Sequence, residues 1–138
     1  MYDMERFVNM HMGSFASAQF ELARGAKYSH WMWYMFPQLR GLGKSGMAHM
    51  YGISGLKEAE AYLAHPVLYG RLYELCGELL KHKDKTALEI IGDIDEMKLK
   101  SSMTLFALTS EDYTIFDEVL EHFFGGEMDE VTVKLING

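Results

Sequence analysis

The chain has 138 residues, of which 49% are hydrophobic and 24% charged, and its formal net charge at pH 7 is -7. This length and composition predict one folded domain over residues 1–138 and exclude a disordered tail. The acidic balance argues against a nucleic-acid partner, because proteins that bind nucleic acids neutralise phosphates with clustered lysine and arginine.

Cysteine content and hydropathy indicate the compartment. Cys76 is the single cysteine, which excludes an intramolecular disulfide and a zinc site built from thiolates alone. The amino-terminal run MYDMERFVNM contains acidic residues and no apolar stretch of the signal-peptide kind. No window approaches the roughly 18 apolar residues of a membrane span. We therefore predict a soluble cytoplasmic protein with no membrane partner.

The first half of the chain reads as a succession of short helices. Apolar positions from Met4 to Leu22 recur every three or four residues, with a break at Gly13 and a stop at Gly25. His11 falls on this apolar stripe and is predicted to be a core histidine. Three serines are predicted to be amino-terminal caps: Ser29 for a helix from His30 to Phe36, Ser45 for one ending near Tyr51, and Ser54 for the next.

The second half continues in the same way. His65-Pro66 predicts a helix boundary, followed by a helix to about Lys81 in which Cys76 lies on the buried stripe. Thr86 is predicted to cap a short helix closed by Gly92, and a longer helix spans about 95–108. Further expected features are a capping pair of Thr109 with Asp112, an amphipathic helix from Ile115 to Phe124, and a final helix from Asp129. Strand alternation is nearly absent, so we predict an all-α fold of six to eight short helices.

The segment 27–45, KYSHWMWYMFPQLRGLGKS, combines many aromatic residues with polar ones. Its helix is apolar almost all round, which predicts burial and makes Trp31 and Trp33 candidates for the core. Either tryptophan could instead stack on a planar ligand, and Trp33 is a candidate ligand-binding residue. Lys27, His30 and Gln38 are candidate ligand-binding residues, because a polar side chain in an apolar segment can line a pocket.

The helix 95–108 contains a second group of polar residues between apolar faces. Leu99, Met103 and Phe106 form one apolar face, and Ile94, Leu105 and Leu108 form another. Between them lie Lys98, Ser101 and Ser102, spaced three and four residues apart and hence on one side of the helix. The alternative is structural: serines allow close helix packing, and Lys98 extends its stem to water.

Two further patterns are weaker. Gly43-Lys44-Ser45 matches the end of a phosphate-binding loop, but the first glycine of that motif would fall at Gln38, and no strand precedes it. Arg40 and Lys44 could still hold an anion at the next helix terminus, whereas a surface turn explains the same residues. The six histidines are scattered over separate elements, so we predict no metal and no cofactor.

Several runs are specific enough to indicate a family. They are Lys27, Ser29-His30-Trp31-Met32-Trp33, Phe36-Pro37-Gln38-Leu39, Gly41-Leu42-Gly43, Ser45, Tyr51-Gly52-Ile53, His65-Pro66, Lys98-Leu99 and Ser101-Ser102-Met103-Thr104-Leu105-Phe106. Through these the chain, from about Asp3 to Leu135, resembles domain-of-unknown-function family 1810, which is mainly bacterial. Tyr34 and Met35 depart from the residues usual in that family. The resemblance implies a helical fold and no established activity.

The two groups of polar residues suggest one shared pocket for a small polar or anionic, nucleotide-like ligand. In this hypothesis His30 and Gln38 orient the ligand, and Lys98, Ser101 and Ser102 hold its polar or anionic group, with Lys27 and Trp33 as further contacts. If the protein is an enzyme, His30 is the candidate acid or base and Lys98 the charge stabiliser. One alternative is a non-enzymatic interaction module or homodimer. Another is an N-glycosidase-like hydrolase acting on an ADP-ribose-like compound.

Overall fold

The computed structural model describes residues 2–138. Ten helices account for the regular structure of this part of the chain. They are α1 (Glu5–Met12), α2 (Phe15–Arg24), α3 (Met32–Met35), α4 (Gly46–Met50), α5 (Leu56–Ala64), α6 (Pro66–Leu80), α7 (Ala87–Ile91), α8 (Asp93–Thr109), α9 (Ile115–Phe124) and α10 (Glu130–Asn137). The predicted all-α fold is confirmed. Seven of the helices have eight or more residues, and α3, α4 and α7 are single turns of four or five.

Helix α8 lies at the centre of the packing. It contacts α5, α7, α9 and α10, while α2 and α9 pack on α6 and α1 packs on α3. All side chains of α8 from Ser101 to Ala107 are buried, so the rest of the protein surrounds the helix along these two turns. Ile94 belongs to neither face, because its side chain is 77% exposed.

A row of aromatic rings connects α8 to its neighbours. Phe7, Tyr62, Phe106 and Phe116 follow one another with centroid separations of 5.1, 5.3 and 5.6 Å. Aromatic pairs at these distances contribute about 0.5–1.5 kcal/mol each beyond the area they bury. The row joins α1, α5, α8 and α9 through one continuous core.

Two side chains predicted to lie in the core do so. His11 is buried, and its Nε2–H donates to the carbonyl oxygen of Tyr34 at 2.7 Å, while burial lowers the pKa of its ring to about 4. Cys76 is fully buried on α6, and burial raises the pKa of its thiol, so the reactive thiolate is disfavoured.

Several predicted helix caps are confirmed. Ser45 Oγ accepts a hydrogen bond from Ala48 N at 3.1 Å, and Thr86 forms a capping box with Glu89 at the start of α7. His65 precedes Pro66 at the start of α6, and its Nδ1 accepts from Leu68 N. Gly13 separates α1 from α2, and Gly25 ends α2 in the left-handed conformation, φ 79°.

Two serine caps were wrong. Ser29 does not cap α3, because its hydroxyl donates to Glu21. The helix begins at Met32, two residues after the predicted start, and Trp31 occupies the cap position. Ser54 lies one residue before the cap position of α5, which Gly55 occupies, and its amide donates to Glu58 Oε1 at 2.8 Å.

The predicted capping pair of Thr109 with Asp112 was also wrong. Thr109 is the last residue of α8, and its hydroxyl donates to Leu105 O. The capping box of α9 is formed by Thr114 and Asp117. Residues 110–113 form the turn between α8 and α9, so the cap lies five residues after Thr109.

Among residues 2–138, none of the helices has both the length and the apolar character needed to cross a bilayer.

Candidate functional site

A buried carboxylate on α2 sets the path of the chain into the aromatic segment. Glu21 Oε1 accepts hydrogen bonds from Tyr28 N at 2.8 Å, Ser29 N at 2.8 Å and Trp31 Nε1 at 3.0 Å. Its Oε2 accepts from Ser29 Oγ at 2.5 Å. Burial acts to raise the pKa of Glu21, but these hydrogen bonds, led by those from Ser29, lower it to about 2. The carboxylate is therefore ionised at neutral pH and holds residues 28–31 in place.

The loop held by Glu21 meets the start of α8. Lys27 N donates to Ile90 O at 2.8 Å, which places the Lys27 side chain beside the first turns of α8. There its Nζ lies 2.8 Å from Asp95 Oδ2, and Lys98 Nζ lies 3.0 Å from Asp95 Oδ1. The side chains of Lys27 and Asp95 are 9% and 11% exposed. The aromatic segment and α8 thus meet through a triad of Lys27, Asp95 and Lys98.

The triad has an excess positive charge and unused donors. The two ammonium groups share one carboxylate, and burial, which acts to raise the pKa of Asp95, is outweighed by its lysine partners, which lower it. Lys27 Nζ also donates to Ser29 O at 2.6 Å. A lysine ammonium has three N–H donors. Within the described residues, Lys27 therefore keeps one donor free and Lys98 keeps two.

Both tryptophans pack beneath these cations. Lys98 Nζ lies 4.3 Å from the centroid of Trp33, and Lys27 Nζ lies 5.0 Å from that of Trp31. Trp31 is fully buried, as predicted for a core residue, and Trp33 is half-buried. A cation at this distance is attracted by the quadrupole of the ring. The rings therefore help to fix the two ammonium groups.

An open cavity of about 270 Å³ lies beside the triad. Its walls come from the aromatic segment, the end of α7 and the first turns of α8. The lining residues are Lys27, His30, Met32, Trp33, Ile91, Gly92, Asp93, Ile94, Asp95 and Lys98. His30 is exposed at this cavity, and its ring makes no hydrogen bond within residues 2–138.

Four of the candidate residues therefore lie together, namely Lys27, His30, Trp33 and Lys98. Gln38 lies elsewhere, in a narrow crevice next to Trp33 and Gly43. Its backbone carbonyl oxygen accepts a hydrogen bond from Ile53 N at 2.8 Å. This bond belongs to the bridge between Leu39 and Ile53, which holds the chain after Pro37 against residue 53.

The two serines of α8 also lie outside the cavity lining. Ser101 Oγ donates to Asp129 Oδ2 at 3.0 Å, and the same oxygen accepts from Thr132 N at 3.1 Å at the start of α10. Ser102 is fully buried, and its hydroxyl has no partner in the described part of the chain. Ser101 therefore helps to attach α10 to α8.

Two residues of the site were missed from the sequence. Asp95 lies in the first turn of α8, where the helix dipole alone favours an acid, but its spacing of three from Lys98 on one helix is an ion-pair signal. Glu21 lies between buried Ala18 and Leu22 on the inner face of α2, and an acid in that position signals a buried polar partner.

The run from Arg40 to Ser45 is not a phosphate loop. Arg40 donates from Nε to His49 O at 3.1 Å and from Nη2 to Gly52 O at 3.0 Å, so its guanidinium covers carbonyls at the end of α4. Helix α4 has only five residues, and Ser45 Oγ already accepts one of its first amides. These residues form a turn that seats α4, as the alternative interpretation predicted.

Gly43 provides the close approach that seats Trp33, and replacing it with alanine is expected to destabilise the fold by about 1–3 kcal/mol. A Cβ at Gly43 would lie 2.7 Å from Ala48 Cβ and 3.4 Å from Trp33 Cη2, so backbone must move. Gly46→Ala is the matched control, because a Cβ there meets nothing within 4 Å. Urea unfolding of both variants checks this, and equal stabilities would contradict it.

Comparison with known proteins gives a family and a solved fold. A crystal structure of the conserved hypothetical protein Rv1873 from Mycobacterium tuberculosis is similar over 99% of this chain and 98% of that one, with 44% sequence identity and a TM-score of 0.97. No curated protein matches. The model of the family described as "Protein of unknown function (DUF1810)" matches residues 1–136. The chain therefore belongs to the DUF1810 family.

Proposed function

We propose that this protein binds a small anionic, nucleotide-like ligand in the cavity between the aromatic segment and α8. The observation that supports this best is the convergence of Lys27 and Lys98 on the single carboxylate of Asp95 at the cavity wall. The two ammonium groups carry two positive charges against the one negative charge of Asp95, and both lysine side chains are largely buried. Such a pair attracts an anion more strongly than exposed lysines do.

The free donors lie where such an anion would bind. Lys27 keeps one N–H and Lys98 two, on either side of Asp95. Charge-assisted hydrogen bonds of this kind are the stronger class of hydrogen bond. The apolar side chains of Met32, Ile91 and Ile94 provide a surface for the uncharged part of the ligand.

Burial of the aromatic residues supports this function over an interaction module. The interaction hypothesis predicts a large exposed apolar patch, whereas a pocket for a small ligand predicts buried aromatic side chains. Trp31, Tyr34 and Phe36 are buried in the core. Two of the exposed aromatics, Phe20 and Tyr28, lie 5.4 and 5.6 Å from the guanidinium of Arg24, so a cation interrupts the patch that these two rings form.

The hydrolase alternative has less support from the side chains. Both oxygens of Asp95 are engaged by lysines, which makes its carboxylate a poor base. His30 is the one histidine that lines the cavity, and its ring makes no hydrogen bond within residues 2–138. We therefore propose binding, and assign His30 a contact with the ligand.

Thermal unfolding with AMP, ribose 5-phosphate, ADP-ribose and NAD tests this proposal. A ligand at about one hundred times its dissociation constant adds about 2.7 kcal/mol, which raises the midpoint by several degrees. We expect such a rise in the wild type, a loss of it in Lys98→Ala and a reduction in His30→Ala.

Lys100→Ala is the matched control for these variants. Lys100 lies on the same helix but faces Glu127 at 3.6 Å, away from the cavity. It is expected to keep the full rise. An equal rise in the wild type, Lys98→Ala and His30→Ala would contradict the assignment of the site, and no rise with any of these compounds would contradict the proposed ligand class.

A further inference from the structure

The charges around the cavity limit what kind of anion it can accept. Two lysines line it, and so do two acidic residues, Asp95 between the lysines and Asp93 at the exposed edge. Asp93, Asp95 and Glu96 together occupy the first turn of α8, where their charges offset the positive end of the helix. Attraction for an anion is therefore confined to the place where Lys27 and Lys98 meet.

The free donors match one phosphate group. One N–H of Lys27 and two of Lys98 are unused within residues 2–138, and the three terminal oxygens of a phosphate monoester can each accept one of them. A carboxylate brings one negative charge to the same donors, whereas a phosphate monoester brings a charge of about -1.5 to -2 at neutral pH, which the two ammonium groups attract more strongly. The donors thus favour a phosphate monoester over a carboxylate.

A second, adjacent phosphate would find no matching cation. Beyond the two lysines and Asp95 the lining holds no further lysine or arginine, and its one other charged side chain is the carboxylate of Asp93; the rest of the lining is His30, Met32, Trp33, Ile91, Gly92 and Ile94. A diphosphate would bring another negative charge close to that carboxylate, and like charges at contact distance oppose binding.

The ring of Trp33 is also partly unavailable. Lys98 Nζ covers one face at 4.3 Å, and on the side of the crevice the indole packs close to Gly43. A nucleobase could stack on the covered face only by displacing the cation that holds the phosphate. The volume of about 270 Å³ lies just below the roughly 300–1,000 Å³ of pockets for drug-sized ligands.

From these observations we infer that the site selects a phosphate monoester on a body no larger than a nucleoside, and rejects diphosphate-linked compounds such as ADP-ribose through Asp93. This inference rests on the proposed function and narrows its ligand class. Asp93 acts as a specificity-determining residue, since it lines the cavity and its carboxylate makes no hydrogen bond or ion pair within the described residues.

Isothermal titration calorimetry with ribose 5-phosphate, AMP, ADP-ribose and glucuronate tests the inference. In the wild type, we expect at least one of the two monoesters to bind at least about tenfold more tightly than ADP-ribose does, and also than the carboxylate glucuronate does. Tenfold corresponds to about 1.4 kcal/mol. In Asp93→Asn the affinity for ADP-ribose is expected to rise severalfold and the affinity for the monoesters by less, so that the ratio between them narrows.

Glu96→Gln is the matched control, because Glu96 belongs to the same helical turn but does not line the cavity. It removes the same charge and is expected to leave the ratio unchanged. Binding of ADP-ribose or glucuronate as tight as that of the monoesters would overturn the inference and leave the proposed function standing. Equal effects of Asp93→Asn and Glu96→Gln would overturn the role of Asp93. Absence of binding by all four compounds would overturn both proposals.

Discussion

Replacement of Glu21 with alanine is expected to lower the free energy of unfolding by about 3 kcal/mol or more. The substitution removes the acceptor of four hydrogen bonds and leaves Trp31 Nε1, in a fully buried side chain, without a partner. A buried donor left unsatisfied costs about 1–3 kcal/mol, and hydrogen bonds to a charged group lie toward the upper end. Urea unfolding at neutral pH measures the loss.

Glu21→Gln separates hydrogen bonding from charge. The glutamine oxygen can accept from Tyr28 N, Ser29 N and Trp31 Nε1 as Oε1 does, and its NH₂ can donate to Ser29 Oγ with the polarity of that bond reversed. The loss of charge assistance alone is expected to cost about 1–1.5 kcal/mol. Equal losses in the alanine and glutamine variants would contradict this account of the loop.

The same carboxylate should make stability depend on pH in the acid range. Its pKa is lowered from 4.5 to about 2 in the folded protein, so the unfolded chain takes up a proton first as the pH falls. The contribution of Glu21 is fully present above about pH 4.5 and is lost progressively as the pH falls toward 2. The stability gap between wild type and Glu21→Gln is therefore expected to shrink over that window.

Much of the fold followed from local patterns in the sequence. The helical periodicity, the caps at Ser45 and Thr86, and the boundary at His65 rest on interactions within a few residues. Ser29 failed as a cap because its hydroxyl found a partner eight residues earlier, on α2. The sequence around a serine can predict that it caps a helix, but it does not show whether a buried carboxylate on another helix binds the same hydroxyl.

Local patterns also predicted part of the site. The proximity of the aromatic segment to α8 was inferred from two groups of polar residues among apolar ones, and Lys27 and Lys98 do meet there. Ser101 has the same spacing signal as Lys98, yet it faces α10. Spacing places residues on one side of a helix, but the neighbour on that side changes along a helix of seventeen residues.

Replacement of Asp95 with asparagine is expected to destabilise the protein by about 2–3 kcal/mol. It removes the one carboxylate shared by two ammonium groups and leaves the Lys27 side chain, 9% exposed, without a counter-ion within residues 2–138. Loss of one partner from a buried ion pair typically costs about 3–5 kcal/mol, and the remaining bond from Lys27 to Ser29 O reduces that cost here.

A double-mutant cycle with Lys27→Met isolates the buried pair. In the Lys27→Met background, Asp95→Asn is expected to cost about 1–2 kcal/mol less than in the wild type, because the ammonium that needed the carboxylate is gone. The surface pair of Lys100 with Glu127, whose side chain is 75% exposed, is the matched control, and Glu127→Gln is expected to cost less than about 1 kcal/mol. A coupling energy near zero would show that Asp95 does not stabilise Lys27.

Asp95→Asn should change ligand affinity in the opposite direction to stability. Without the carboxylate, the donors that Lys27 and Lys98 give to Asp95 lose a charged acceptor, and the cavity gains one net positive charge. Below its unfolding midpoint, the variant is therefore expected to bind AMP about tenfold more tightly than the wild type. Weaker binding by a folded Asp95→Asn variant would mean that the carboxylate orients the lysines for the anion, and that their convergence depends on it. Stronger binding would mean that the negative charge of Asp95 opposes the phosphate beside it, and that this carboxylate stabilises the fold at the expense of affinity.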